Sequence, residues 1–246
     1  MFDSNQFSEW QIKRSRQIDS NSEYEQASLN WLNLAVESDY PYLFSWLGVP
    51  AIQFPSDLVL IQEAIFESKA NKIIEVGIGR GGTTIFLASL LSLIYRSENS
   101  SVVGIDIKIS KHTESAIKNS IVNDKIHLIE GDSTNAETIL KLRNFVNDDD
   151  KILVILDSNH THEHVFAEMQ IYGNLVSHNS YLIVMDTAIE YLEPELTKGK
   201  KWSRTNSPLS AIVEYQQKFP GIFVEDDNLN SRSLPGAAKG GFLRKV

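Results

Sequence analysis

Five short apolar segments alternate with segments of helical periodicity, and this alternation limits the folds open to the chain. Apolar residues follow one another within the segments instead of alternating with polar ones, which is typical of parallel strands covered by helices on both faces. The sequence therefore predicts a doubly wound, mostly parallel, Rossmann-like α/β sheet. The predicted strands are Lys72–Val76, Ser101–Asp106, Lys125–Ile129, Lys151–Asp157 and Tyr181–Asp186.

Apolar residues spaced three and four apart predict the intervening helices. Ser56 is the expected N-cap of the first helix, and Pro208 is expected near the first turn of the last. Two further strands, Ile222–Val224 and Gly241–Arg244, should form a closing hairpin around a mobile segment 225–240, which gives seven strands. The predicted helices cover residues 56–68, 83–95, 111–120, 135–146, 162–175 and 208–218.

The first 50 residues differ from the rest and are expected to form an N-terminal helical cap on the domain at 51–246. This segment holds Trp10, Trp31 and Trp46, three of the four tryptophans, and a candidate amphipathic helix at 23–36. Aromatic residues are enriched at subunit interfaces, so the cap suggests a homo-oligomer.

Composition excludes several classes of protein. The net charge of −9 argues against nucleic-acid binding, and the absence of cysteine excludes disulfides and thiolate metal sites. No apolar run is long enough to predict a transmembrane helix, so no membrane partner is expected. The polar N-terminus lacks a signal-peptide core, which favours a cytoplasmic location.

A glycine-rich loop, Gly77-Ile78-Gly79-Arg80-Gly81-Gly82, follows the first strand and leads into a helix at Thr83. Glycines at this position allow a ligand to approach the backbone and the helix N-terminus. Glu75 precedes the loop, and a carboxylate there suits S-adenosylmethionine better than the pyrophosphate of a dinucleotide. The alternative interpretation is a tight strand-to-helix turn without a ligand.

Acidic residues at the next strand ends support a nucleoside ligand. Asp106 could accept hydrogen bonds from ribose hydroxyls, or it could cap a turn. Asp132 or Ser133 could contact the adenine amino group, although helix capping by Ser133 or Thr134 is the competing interpretation.

Asp157 and Asp186 end two further strands, which should be neighbours about 5 Å apart. Two carboxylates at that distance repel each other unless they share a proton or a cation, and Mg²⁺ is the ion we expect. His160 is a candidate general base. Zinc binding by His160, His162 and His164 is disfavoured, because the pattern lacks a third-ligand motif. His162 and His164 are instead expected to open a helix and face solvent or the substrate loop.

Several blocks together resemble the cephalosporin hydroxylase family, whose members look like S-adenosylmethionine-dependent methyltransferases and include rhamnosyl O-methyltransferases. The resemblance covers about residues 50–246. It implies cofactor binding at Glu75–Gly82, Asp106 and Asp132, and a Mg²⁺ site at Asp157 and at the acidic pair ending the fifth strand. The matching blocks are IIEVGIGRGGTTIFLASLL, VVGIDI, IHLIEGDST, VILDSNHTHEHVFAEM, SYLIVMDT and PGAAKGGFLRKV.

The sequence departs from the family where relatives often carry Glu-Asp, because this chain has Met185-Asp186. One carboxylate ligand is missing, and Thr187 or water could substitute for it. In the terminal block, Ala237-Ala238-Lys239 stands where a shorter Pro-Gly-Gly turn is usual.

The sequence thus predicts an O-methyltransferase that uses S-adenosylmethionine, with Mg²⁺, to methylate a hydroxyl of a sugar or small natural product. The predicted cofactor residues are Glu75, Gly77, Gly79, Gly81, Thr83, Asp106, Asp132 and Ser133. Asp157 and His160 are the predicted catalytic residues, and Asp157 and Asp186 the predicted metal ligands. A hydroxylase or oxidoreductase and a non-catalytic cofactor-binding protein are the alternatives. The loop 187–207 should cover the substrate, and Trp202, Tyr191 and Trp46 could form an aromatic wall.

Overall fold

The computed structural model describes residues 4–95 and 99–246. Ten α-helices, four short 3₁₀ helices and nine strands follow one another along this part of the chain. The helices are α1 (Ser4–Asp19), α2 (Ser22–Glu37), α3 (Pro55–Ser68), α4 (Gly82–Ile94), α5 (Lys111–Lys118), α6 (Ala136–Leu142), α7 (His162–Tyr172), α8 (Pro194–Thr197), α9 (Pro208–Lys218) and α10 (Asp227–Asn230). The strands are β1 (Ser45–Trp46), β2 (Val49–Pro50), β3 (Lys72–Val76), β4 (Ser101–Asp106), β5 (Ile126–Glu130), β6 (Ile152–Leu156), β7 (Tyr181–Val184), β8 (Phe223–Glu225) and β9 (Phe242–Lys245).

A seven-stranded sheet in the order β5-β4-β3-β6-β7-β9-β8 forms the centre of the molecule. The five strands from β5 to β7 are parallel, whereas β9 pairs antiparallel with both β7 and β8. The predicted fold class is confirmed, including the closing hairpin. Because β3 and β6 lie side by side at the centre, their carboxyl ends form the crevice in which such sheets bind ligands.

Both faces of the sheet are buried, which explains the consecutive apolar residues of the strands. Ile73 and Leu153 pack on one face against α2, α3 and α4. Ile74 and Val154 pack on the opposite face against α7 and α9. Each residue along a strand therefore contributes to one of two cores, since successive side chains point to opposite faces.

The N-terminal segment shares the first of these cores. Leu32 and Ala35 of α2 are buried in the same cluster as Ile73 of the sheet. We therefore propose that residues 1–50 form a cap on the domain at 51–246 and do not fold independently. No helix in the described ranges is long and apolar enough to cross a membrane. The cytoplasmic location stays a prediction.

Two local predictions were wrong, and one helix was missed. Ser56 does not cap α3: Phe54 is the N-cap residue, Pro55 begins the helix, and the Ser56 hydroxyl donates to the Pro235 carbonyl at 2.9 Å. Helix α1 was missed, because apolar residues are few in its largely polar sequence. The segment 225–240 contains α10 and packs against the core through the buried residues Leu229 and Ala238, where a mobile segment was expected.

Candidate active site

Two adjoining cavities open at the carboxyl edge of the parallel strands. The larger has a volume of about 590 Å³ and the smaller about 270 Å³. Gly77, Gly79 and Asp157 line both. The glycine loop and the end of β6 therefore separate two binding spaces while contacting each of them.

The backbone of the loop is left-handed at Gly77, Gly79 and Gly81, whose φ angles are 92°, 50° and 86°. The values at Gly77 and Gly81 favour glycine, whereas other residues also adopt the value at Gly79. Gly81 is the N-cap residue of α4 and packs against the side chain of Ile117, outside both cavities. Thr83, in the first turn of α4, lines the larger cavity. Of the predicted loop residues, the structure thus places Gly77, Gly79 and Thr83 at the cavities and gives Gly81 a turn-forming position.

Glu75 is buried below the loop and lines neither cavity. Its carboxylate accepts a hydrogen bond from the Thr84 hydroxyl at 2.6 Å. Burial raises the pKa of Glu75 to about 8, against the effect of the Thr84 hydrogen bond, and the nearby charge of Asp106 adds to the rise. In this structure Glu75 supports the loop from the core side.

Asp106 lines the smaller cavity and also fastens the loop. Its Oδ2 accepts hydrogen bonds from the backbone amides of Ile78 at 3.1 Å and Gly79 at 3.2 Å. Its Oδ1 accepts one from the backbone amide of Lys108 at 3.1 Å. The turn-capping interpretation of this residue is therefore correct, and its position in the cavity leaves the ribose role open as well.

Asp132 and Ser133 also line the smaller cavity, together with His164. The Asp132 carboxylate accepts from the Thr134 amide and hydroxyl, which lower its pKa. Ser133 does not cap α6, and neither does Thr134: the Asn135 side chain accepts from the Glu137 amide and fills that role.

The buried carboxylate of Glu168 contacts three side chains that line the smaller cavity. Oε1 of Glu168 accepts hydrogen bonds from the hydroxyls of Ser133 at 2.5 Å and Ser158 at 2.6 Å, and lies 3.1 Å from Nε2 of His164. The contact with Glu168 raises the pKa of His164, against the effect of burial. Sequence reasoning missed Glu168, because a lone glutamate on a helix gives no signal of burial.

Asp157, His160 and Asp186 meet in the larger cavity, as the sequence predicted. Each offers one ligand atom, and these atoms lie within 4.8 Å of one another. Nδ1 of His160 is 3.2 Å from Oδ2 of Asp186. Both aspartates lie just beyond their strands, and Asp186 adopts a left-handed backbone with φ 55°, a strained conformation that is common at functional sites.

The electrostatics of this trio favour a cation. Burial raises the pKa of Asp157 well above its usual range, and the charges of Asp186 and Glu75 raise it further. A carboxylate in such surroundings ionises only when a positive charge compensates for the lost hydration. Oxygen donors on neighbouring strand ends match the preference of hard divalent ions.

Two further side chains near Asp157 were missed. Nε2 of Gln53 donates to Oδ2 of Asp157 at 2.7 Å. Asp57 of α3 is completely buried, and its Oδ2 accepts from the Ala237 amide at 2.7 Å. Burial raises the pKa of Asp57 to about 7, and the Asp186 charge contributes to the rise. Both residues belong to segments far from the strand ends in sequence, where an acid or amide has no distinctive spacing.

The three histidines diverge, which removes the basis for a zinc site formed by them. His160 turns to Asp186, whereas His162 contacts Glu214 at 2.6 Å and Ser210 at 2.8 Å on α9. His164 turns to Glu168 and the smaller cavity. The expectation that His162 and His164 open a helix is confirmed, since α7 begins at His162. The expectation that they face solvent or the substrate loop is wrong for His164, which lines the smaller cavity beside Glu168.

Met185 and Thr187 contribute no ligand to the trio. Met185 is buried in the apolar core, and the Thr187 hydroxyl donates to the Ala237 carbonyl at 3.1 Å. The suggestion that Thr187 replaces the missing carboxylate is therefore wrong.

Of the three residues suggested for an aromatic wall, one lines the larger cavity. Trp202 meets the His160 ring edge to face, with 6.2 Å between the ring centres. Trp46 instead packs against Phe86 and donates to Ser89, and Tyr191 lies beneath the ammonium group of Lys239. Tyr42 lines the cavity and was not predicted.

Comparison with known proteins agrees with these features. A rhamnosyl O-methyltransferase of Mycobacterium leprae (strain TN) is 29% identical over 185 residues, which is 74% of each chain. A rhamnosyl O-methyltransferase of Mycobacterium bovis (strain BCG / Pasteur 1173P2) is 27% identical over 205 residues, covering 81% of this chain and 77% of the relative.

Solved structures share the fold. CmcI with Mg and SAM superposes with a TM-score of 0.60 at 20% identity, over 83% of this chain and 77% of that one. The O-methyltransferase from Bacillus cereus with SAH superposes with a TM-score of 0.51 at 14% identity, over 88% and 87% of the two chains. The family described as rhamnosyl O-methyltransferase/CmcI matches residues 38–246. The resemblance expected from the sequence motifs is confirmed, and the chain belongs to the rhamnosyl O-methyltransferase/CmcI family.

Proposed function

We propose that the protein is an S-adenosylmethionine-dependent O-methyltransferase that acts on a hydroxyl of a sugar or small natural product. The observation that carries this proposal is the convergence of Asp157, His160 and Asp186 at the junction of two cavities. The activity named for the mycobacterial relatives and the ligands of the CmcI structure support the same reaction class.

The smaller cavity suits the adenosine part of the cofactor. Asp106 and Asp132 supply carboxylates for hydroxyl and amino groups, and Gly77 and Gly79 let the ligand reach the backbone. The cofactor supplies an electrophilic methyl group on a sulfonium. The junction at Gly77 and Asp157 would direct that group toward the larger cavity, where the acceptor binds.

Asp157 and Asp186 are the proposed ligands of a divalent cation, Mg²⁺. When bound, such an ion lowers the pKa of a coordinated hydroxyl and fixes its orientation. The two carboxylates fit the ion, because each has an oxygen within reach of a common point and neither faces an Arg or Lys partner at salt-bridge distance in the described part of the chain.

His160 is the proposed proton acceptor. Its Nδ1 contacts the Asp186 carboxylate, which favours a proton on Nδ1 and leaves the lone pair of Nε2 to take a proton from the acceptor hydroxyl. Asp186 thereby orients the ring. Trp202 packs edge to face against the ring from the substrate loop and limits its rotation.

The larger cavity suits a neutral, polyhydroxylated acceptor with an apolar portion. Its acidic end carries Asp157 and Asp186, and Tyr42, Trp202 and Leu196 provide apolar surface. A sugar ring can pack an apolar face against such side chains while its hydroxyls donate hydrogen bonds to the carboxylates.

We further propose that the protein is a homo-oligomer, since Phe7 and Trp10 of α1 are about half exposed and stack on each other.

A transfer assay with labelled S-adenosylmethionine and a panel of rhamnosyl and other glycosides tests the proposal. We expect transfer that EDTA abolishes and Mg²⁺ restores. Asp157→Asn should reduce transfer by about 100-fold or more, since it removes a ligand and a charge at the reacting hydroxyl. Glu214→Gln is the matched control, because it makes the same chemical change at a surface salt bridge outside both cavities.

Full transfer by Asp157→Asn would refute the assigned role of this residue. Calorimetry with NADH in place of S-adenosylmethionine addresses the oxidoreductase alternative, and NADH binding would favour it. The donor set argues against that alternative, because one histidine and two aspartates meet here in place of two histidines and one carboxylate. Cofactor binding without transfer to any glycoside would favour the non-catalytic alternative.

A further inference from the structure

Gln53 is a buried amide side chain that contacts the acid pair. Its residue is 4% exposed, and it lines the larger cavity. Its Nε2 donates a hydrogen bond to Oδ2 of Asp157 at 2.7 Å. The contact joins the segment between β2 and α3 to the end of β6.

The backbone around Gln53 is fixed independently of this contact. The neighbouring residues Ala51 and Phe54 are buried, and the backbone amide of Gln53 donates to the Ala51 carbonyl at 3.0 Å. The side chain is therefore held in place before any ligand binds. A buried amide without a partner would cost free energy, so its placement against a carboxylate indicates a selected contact.

The two aspartates contact different neighbouring side chains. His160 contacts Asp186, whereas Gln53 contacts Asp157. Histidine can accept and release a proton, but an amide does not titrate. A bond from Gln53 therefore fixes the plane of the Asp157 carboxylate without adding a group that exchanges protons with the acceptor.

We infer that Gln53 is a positioning residue of the metal site, which occupies one oxygen of Asp157 so that the other is presented to a divalent cation. This inference rests on the proposed function for the identity of the site. It gives the two proposed ligands different neighbours with different tasks: Gln53 orients Asp157, whereas Asp186 also contacts His160, the proposed proton acceptor.

Mn²⁺ binding to the full chain, measured by electron paramagnetic resonance without acceptor, tests the inference independently of transfer. Gln53→Met keeps the length of the side chain and removes the donor. We expect its dissociation constant for Mn²⁺ to rise by about 10-fold or more, the usual effect of losing a hydrogen bond behind a metal ligand. S-adenosylmethionine affinity and melting temperature should stay near the wild-type values.

Gln217→Met on the exposed side of α9 is the matched control and should bind Mn²⁺ as the wild type does. If Gln53→Met does not fold, Gln53→Asn provides a second variant, whose shorter side chain cannot span the same distance and should weaken Mn²⁺ binding in the same direction.

A double-mutant cycle separates positioning from general structural damage. In an Asp157→Asn background, Gln53→Met should change the Mn²⁺ dissociation constant by less than about two-fold, since the group it acts through is already altered. Unchanged Mn²⁺ affinity in Gln53→Met, or the same loss in both backgrounds, overturns the inference while leaving the methyltransferase proposal intact. A wild-type protein that transfers methyl groups but binds no Mn²⁺ also overturns it.

Discussion

The Cα of Gly77 lies against the backbone carbonyl of Asp157, so close that a β-carbon at residue 77 would overlap the oxygen. The neighbouring backbone hydrogen bonds hold this arrangement. Asp157 donates to the Val76 carbonyl at 2.7 Å, and Gly77 donates to Ile105 at 2.8 Å. The glycine loop and the proposed metal ligand are thus packed backbone to backbone.

Gly77→Ala should damage both halves of the site. The side chain would meet the Asp157 backbone, and the φ of 92° is unfavourable for any other residue. We expect a fall of about 3 kcal/mol in the free energy of unfolding, measured in urea, and loss of S-adenosylmethionine binding by calorimetry.

Gly79→Ala is the comparison for this prediction. Gly79 has φ 50°, which other residues tolerate, and a β-carbon there meets no atom within 4 Å. Its cost should be about 1 kcal/mol. Equal losses in the two variants would mean that loop flexibility, and not the contact with Asp157, determines the effect.

Asp57 should make stability depend on pH. Its pKa in the folded protein is about 7, against an ordinary value of 3.8, so between these values the folded state binds a proton that the unfolded state has released. Stability contributed by the protonated form is therefore lost as the pH rises from about 4 to about 7. Integrated over this window, the change is on the order of 4 kcal/mol.

Asp57→Asn removes this titration while preserving the size of the side chain. In EDTA, the melting temperature of the variant relative to wild type should rise from pH 4 to pH 7 and become constant above pH 8. A difference that is independent of pH would show that Asp57 is not protonated in the fold at neutral pH.

Glu168 is expected to control the charge of His164. Since the contact with Glu168 is the largest cause of the raised pKa of His164, Glu168→Gln should lower that pKa. A titration of the His164 ring followed by nuclear magnetic resonance measures it directly. The variant should also bind S-adenosylmethionine more weakly, because Ser133, Ser158 and His164 all line the smaller cavity.

The half-buried pair of His162 and Glu214 provides the contrast for this measurement. Glu214→Gln should leave the His164 titration unchanged, since Glu214 contacts a different histidine from its position on another helix. A wild-type titration curve for His164 in Glu168→Gln would contradict the assignment of Glu168 as its electrostatic partner.

The strands and their polar ends were predictable because they follow from local patterns. Consecutive apolar residues located β3 and β6. A carboxylate directly after a strand must lie at the carboxyl edge of the sheet, so the sequence was enough to bring Asp157 and Asp186 together. Glycine spacing located the loop for the same reason. These are features that one segment carries by itself.

The residues that sequence reasoning missed depend on packing between distant segments. Gln53 is 104 residues from Asp157 in the chain, and Asp57 is 180 from Ala237, its hydrogen-bond partner. The burial of Glu75, which was expected to face the ligand, depends likewise on Thr84 of the following helix. Local periodicity contains no information about such contacts.

Trp202 should affect the binding of the acceptor and not the binding of the cofactor. It lines the larger cavity and contacts the His160 ring, and it lies far along the chain from the glycine loop. Trp202→Ala would remove apolar surface from the acceptor cavity and release the ring of His160. Since an aromatic contact contributes about 0.5–1.5 kcal/mol beyond burial, we expect KM for the glycoside to rise by about 3- to 10-fold.

Trp46→Ala separates this effect from simple loss of a large aromatic side chain. Trp46 packs edge to face on Phe86 and donates to Ser89 at 2.9 Å, and it lines neither cavity. Trp46→Ala should lower the melting temperature and leave the glycoside KM unchanged. Trp202→Ala should raise the glycoside KM and leave the melting temperature and the S-adenosylmethionine affinity at the wild-type values. If Trp202→Ala weakens cofactor binding as strongly as acceptor binding, the two cavities do not divide the substrates as proposed.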